Sequence, residues 1–430
     1  MMPGRAILAA ALAVMLAPLA AFAADGPSTG SLPHGGAYTI TQDATLASAA
    51  IDLWFRAPGA GYDNGEPGIS RVAATAAAAA TLESGKSLVG LVRGVGGHLA
   101  INVYPDLVDV SASVPASAAR RVVAAMSAAY FSPAIDDDAM KIARTDVAVL
   151  SAQEHFSPDD LLHDALFAQI FVSGPAHYAP IPADLSDFKS ITLDQVKAFA
   201  KRAFRSANAT IALAGNVDAS LLDAVTAGTP GTADTPIPSS LAASPADKTI
   251  NAAVAGEGLA WTGPPIADER AATALDFVAD YLFRDETGIV SKALDPTGDD
   301  YVNGQFITLH DPGIMLVTIG GSKPAAVEAK VLGAIAALQT PLDPATFAAA
   351  REAFIYHLAS DSQAPTEQAD NLGWYAGEGN GAYAPSDSAS TYWKAARSLD
   401  PDYVASVVKK YLAHPVVVRL ITTNSKDSTS

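Results

Sequence analysis

The chain of 430 residues contains no cysteine, which excludes disulfides, thiolate metal sites and thiol nucleophiles. Histidine is scarce, eight in all, and none has a second histidine four residues later. That is the spacing at which one helical face presents two imidazoles to a metal. His155 with Asp159 and His357 with Asp361 have the spacing, and surface hydrogen bonding is the plainer use of both pairs. No G-x-S-x-G nucleophile elbow occurs, and "GVGG" at 94–97 lacks the rest of a dinucleotide fingerprint and reads as a turn into a strand. Basic residues are outnumbered, 27 Lys and Arg against 45 Asp and Glu, for a net charge of −18. So acidic a surface repels phosphate backbones and argues against nucleic acid as a partner.

Half of the residues are hydrophobic and 17% are charged, the balance of a globular chain, and the length suits two domains better than one core. One apolar run stands apart, "AILAAALAVMLAPLAAFA" at 6–23, preceded by Arg5 and closing on the small-x-small triplet Ala21-Phe22-Ala23. We read residues 1–23 as a cleavable secretory signal and expect export to the periplasm. No later run approaches the roughly 20 apolar residues that span a bilayer, so no membrane span is expected after cleavage.

The remainder carries an internal repeat with a period of about 205 residues. "YPDLVDVSASVP" alternates apolar and polar as a half-buried strand does, and two helical segments follow it; "HDPGIMLVTIGG" and its two successors repeat that order. The closing pair aligns without gaps, 191–204 on 399–412. Val196, Phe199, Ala200, Ala203 and Phe204 match Val404, Val407, Val408, Tyr411 and Leu412, with cations near both C-terminal ends. Between the copies, "TAGTPGTADTPIPSSLAASPADK" has the composition of an extended linker. The expected organisation is a flexible segment at 24–36, a domain at 37–224, a linker at 225–246, a second domain at 247–425 and a tail at 426–430. Alternating strands and long helical runs predict an α+β fold, each domain a mostly antiparallel β-sheet with helices packed on one face.

The order of "IDLWFRAPGAGYDNGEPGIS", "LVRGVGGHLAINVYPDLVDVSASVP", "DDLLHDALF" and "ITLDQVKAFAKRAFRSANATIALAGNVD" resembles the pitrilysin/insulinase metallopeptidases, in particular their bacterial processing-peptidase-like branch. "GIVSKALDPTGDDYVNGQFITLHDPGIMLV" extends the resemblance through the second half. Active members of that family carry His-x-x-Glu-His on a helix: two zinc ligands one turn apart and a general base between them, with a later Glu as third ligand. Laid on this sequence, the motif falls on Arg71, Ala74 and Thr75, and the later Glu falls near Ala152, with Glu154 two residues on. Arg71 repels a cation and Ala74 takes no proton. The resemblance therefore implies a chain that binds no cofactor of its own.

The resemblance further implies a clamshell chamber made of two such chains, of which one holds zinc. Extended substrate would pair by β-augmentation with an edge strand, here Leu99, Ala100, Ile101 and Asn102 in "HLAINVY". A Tyr and an Arg of the second domain would help to hold it. Tyr301 stands at the tyrosine position, whereas Leu294 or Asp295, with Lys292 just before, stand at that of the arginine. The expectation is a non-enzymatic subunit of a periplasmic heterodimeric zinc metalloendopeptidase, with zinc in the homologous partner subunit and peptide as substrate. The alternative is a free-standing peptide-binding protein.

Overall fold

A computed structural model describes residues 26–32, 35–56, 63, 66–173, 187–228, 231–234, 240–241 and 246–422. The expected signal (1–23), the tail (426–430) and part of the linker lie outside them. In the first half the chain runs β1 (Ser28–Ser31), β2 (Ala37–Gln42), β3 (Ser48–Arg56), α1 (Ile69–Ala79), α2 (Leu88–Gly94), β4 (His98–Val103) and β5 (Leu107–Pro115). It continues through α3 (Ala119–Phe131), α4 (Asp137–Glu154), α5 (Pro158–Ile170), β6 (Phe171–Ser173), α6 (Leu193–Ala203) and β7 (Ala209–Gly215). After a two-residue strand β8 (Ser240–Leu241), which pairs with β6, the second half begins. It comprises β9 (Lys248–Ala252), β10 (Gly256–Thr262), α7 (Glu269–Phe283), α8 (Ile289–Lys292), β11 (Tyr301–Ile307) and β12 (Ile314–Gly320). Then come α9 (Pro324–Ala337), α10 (Pro344–Asp361), α11 (Pro365–Gly377), α12 (Thr391–Arg397), α13 (Pro401–Tyr411) and β13 (Val416–Thr422).

The first sheet has the order β1-β2-β7-β3-β5-β4 and the second β11-β12-β10-β13-β9. Read from opposite ends, β2-β7-β3-β5-β4 and β9-β13-β10-β12-β11 are one topology, with a single parallel pair in each (β2 with β7, β9 with β13) and antiparallel pairing elsewhere. The fold is thus α+β with two mostly antiparallel sheets. Residues 28–31, expected to be flexible, instead pair with β2 as strand β1. Ser-Thr-Gly-Ser has no apolar side chain to announce a strand, and backbone pairing alone places it. In the described part of the linker, Asp234 accepts from Arg205 at 2.6 Å and from Asn208 at 2.9 Å.

β3, "SAAIDLWFR", is buried along both faces, which a sheet with helices on one side does not explain. Ala49, Ile51, Leu53 and Phe55 face the first core, packed by α1, α3, α4 and α6. Ala50, Asp52 and Trp54 face the other way, onto α11, a helix from the second half. The exchange is reciprocal. α5 of the first half lies across β10, β12 and β13, its Leu162, Leu166 and Phe167 buried against Ala260, Leu316 and Val418. Each half therefore covers the outer face of the other's sheet, and small residues make the close approach possible. At Gly373 of α11 a Cβ atom would stand 2.0 Å from Nε1 of Trp54.

Candidate functional site

α1 carries Arg71, Ala74 and Thr75, the residues on which the resemblance lays the metallopeptidase motif. Its alanines let it sink into the first core. Ile69, Ser70, Val72, Ala73, Ala74, Ala76, Ala77 and Ala78 are all buried, so only Arg71, Thr75 and Ala79, one turn apart in succession, keep partial exposure. The helix starts on left-handed Gly68, and its first amides are capped from outside: Asp63 accepts from the N–H of Gly68 at 2.9 Å and of Ser70 at 3.2 Å. Burial nevertheless pushes the Asp63 carboxyl up to about 7.

Arg71 and Thr75 line a cavity of about 570 Å³. Its other walls are β4, the C-terminal turns of α4 through Asp146, Leu150 and Glu154, and α5 through Asp160, His163 and Phe167. Nη1 of Arg71 donates to both carboxylate oxygens of Glu154, at 2.7 and 2.8 Å. The residue that meets the motif helix is thus Glu154 and not Ala152, which stands about 200° away around α4. Ala74 is buried in the core, and its carbonyl accepts from the Tyr130 hydroxyl at 2.9 Å. This donor set does not fit zinc: the Arg71 guanidinium brings a positive charge and occupies the one carboxylate beside it, and Thr75 supplies a neutral hydroxyl. Among the described residues no group of three or more His, Asp or Glu could hold a metal ion, and no helix is long and apolar enough to cross a membrane. The two His/Asp pairs are spent separately. His155 Nδ1 meets the Ser151 carbonyl at 2.7 Å, and His357 Nδ1 meets Asp280 at 2.8 Å while Asp361 takes both Nη groups of Arg284.

β4 is an edge strand with its outer side unpaired among the described residues. Leu99 and Ile101 pack towards the first core, and the Asn102 side chain donates to Asp109 at 3.1 Å. What Leu99, Ala100, Ile101 and Asn102 offer outward is backbone. In the second sheet β11 is likewise an edge. Tyr301 lies against Gly320, and its hydroxyl donates to Asp159 of α5 at 3.2 Å, alongside Asn303, whose Nδ2 donates to the same carboxylate at 2.7 Å. Burial and Asp159 push the Tyr301 phenol up to about 12, so it remains a donor. At the expected arginine position, Leu294 packs against the second core and Asp295 closes a turn on Thr297. An arginine that the sequence did not single out, Arg284, lines an adjoining cavity of about 870 Å³ with Asp159 and Asn303. α5 is the wall common to these spaces. His163 borders both of them and a third of about 380 Å³, and burial pushes its imidazole down to about 4, leaving it neutral.

Sequence reasoning also missed a set of buried acids under α11. Asp52 and Asp109 of the first sheet face Asp370, and Asp106 meets Glu378 just past the helix end. Burial raises every one of them, Asp109 to about 8 and Asp370 to about 6. Asp52 alternates with Ile51 and Leu53 as a solvent-facing residue of a half-buried strand would, so nothing local announced its burial.

No family model and no curated protein matches the sequence. Solved structures do. A protease from Helicobacter pylori superposes with a TM-score of 0.78 at 16% identity, covering 92% of this chain and 99% of its own. A peptidase M16 inactive domain from Pseudomonas fluorescens gives 0.74 at 17% identity, covering 93% and 98%. An M16-like peptidase from Alicyclobacillus acidocaldarius gives 0.75 at 14% identity, covering 92% and 98%. The chain has the M16 peptidase fold. At these identities the likeness concerns the fold alone, and what the site does must be argued from its residues.

Proposed function

We propose that this chain is the non-catalytic subunit of a periplasmic heterodimeric zinc metalloendopeptidase, completing the chamber and helping to hold extended peptide, with zinc carried by a homologous partner chain. The observation that carries this reading is the Arg71–Glu154 ion pair on the motif helix. It puts a cation and its counter-charge where the resemblance lays the zinc ligands, which supports a chain that works without zinc chemistry of its own. The retained cavity, with a free edge strand as one wall, supports the peptide-holding role. A similar solved structure is itself described as an inactive M16 domain.

The test is isolation of the chain from its native host. A bound homologue with an intact His-x-x-Glu-His is expected, and chelator-sensitive peptide cleavage only by the pair. Cleavage of the same kind by the purified single chain overturns the reading. Recovery of the chain alone, with peptide bound, favours the free-standing binding protein.

A further inference from the structure

Arg71 does more than neutralise Glu154. Both hydrogen bonds to that carboxylate leave from Nη1. Among the described residues Nη2 and Nε meet no acceptor, and the side chain keeps 17% of its exposure. A guanidinium carries five N–H donors in a rigid fork, so about three remain. They belong to a residue that lines the cavity beside β4, with the Thr75 hydroxyl one turn along on the same wall. Because Glu154 already balances the charge, the unspent donors suit a neutral oxygen better than a second carboxylate.

We propose that Arg71, oriented by Glu154, anchors a backbone carbonyl of an extended peptide lying along the free edge of β4. A hydrogen-bonding cation then stands where relatives place a metal, and it grips peptide without polarising it for hydrolysis. Glu154 acts here as a positioning residue. The inference rests on the peptide-holding reading above, and its failure can be told apart from the failure of that reading.

The experiment measures fluorescence anisotropy of an end-capped, fluorescein-labelled decapeptide of repeating Ala-Val-Ser with the full chain. A series with one thioamide at each position in turn is measured in parallel, since sulfur accepts hydrogen bonds more weakly than oxygen. The charge-neutral double variant Arg71→Met/Glu154→Gln avoids leaving Glu154 unpaired, and Arg71→Lys keeps the ion pair while losing the fork. Loss of a charged hydrogen bond weakens binding roughly tenfold to hundredfold, so both variants are expected to bind the parent peptide at least about tenfold more weakly. At one thioamide position the penalty seen with the wild type should vanish in the double variant, while carbonyls paired with β4 amides keep theirs in both. Equal affinity of wild type and variants, or identical thioamide penalties in both at every position, overturns the proposal and leaves the peptide-holding reading in place. No binding of the probe to the wild type overturns both.

Discussion

The contact between the halves makes a sharp prediction about proton concentration. Asp109 sits on β5 opposite Trp54, fully buried under α11, with Oδ2 accepting a hydrogen bond from Asn102 at 3.1 Å. Its neighbours are two more carboxyls, Asp52 beside it on the sheet and Asp370 on the helix above, and among the described residues no Lys, Arg or His is ion-paired with any of the three. Burial first, and then Asp370, raise Asp109 from an ordinary 3.8 to about 8. A carboxyl whose value is higher folded than unfolded holds more protons in the folded state throughout the interval between the two. Its contribution to stability is therefore fully present below about pH 4 and is lost as pH rises through 8. The slope is about 1.4 kcal/mol per pH unit, so from pH 5 to pH 7 this one group removes on the order of 2–3 kcal/mol. Asp109→Asn keeps the shape and the bond from Asn102, supplies an N–H toward the two remaining acids, and cannot ionise.

The assay is urea unfolding followed by tryptophan fluorescence at pH 5, 6 and 7, with Trp54 and Trp374 reporting from the same interface. The wild type should lose stability across that range more steeply than Asp109→Asn, by roughly the amount of one proton. Asp106 and Glu378 titrate in both proteins and cancel in the comparison, whereas Asp52, which the Asp109 charge helps to push up, is released from that neighbour in the variant and flattens its profile further. Parallel pH profiles for the two proteins would refute the claim that Asp109 is held protonated beneath α11.

Three further outcomes follow from the same geometry. Gly373→Ala forces a methyl group into Trp54 and should lower stability by about 1–3 kcal/mol in thermal melts; an unchanged melt would mean that α11 is not seated tightly on the first sheet. Tyr301→Phe keeps the packing on Gly320 but leaves Asp159 short of one donor, for a loss of about 1 kcal/mol in urea unfolding. If Tyr301 also holds substrate, the same variant slows cleavage by the reconstituted pair without impairing its assembly. Arg71→His/Thr75→His sets two imidazoles one turn apart facing Glu154, and metal analysis should then find one zinc per chain; no zinc uptake by the folded variant would place Glu154 away from the third-ligand position.

What could be read in the sequence is what local periodicity controls. α6 and α13 fall where the repeated apolar spacing puts them; Val196, Phe199, Ala200, Ala203 and Phe204 are buried, and Thr192 and Gln195 close a capping box at the start of α6. In the matching set Val404, Val407, Val408 and Leu412 are buried, whereas Tyr411 is only half covered. The exchange of α5 and α11 was not legible, because an apolar helical face states that it will be covered and not by which sheet. The acids under α11 were hidden for the same reason, since Asp52 and Asp109 became interior only when a helix from the other half closed over them. The motif helix falls between these cases. A single cation in an otherwise uncharged alanine-rich helix has to find an anion or reach water, yet the residue count from Arg71 could not say which anion. Alanine answers that question in three dimensions. Its small side chain lets α1 sink against α4 until Arg71 and the last turn of that helix meet. The residues that look chemically empty in the sequence are therefore the ones that decide where the remaining charge points.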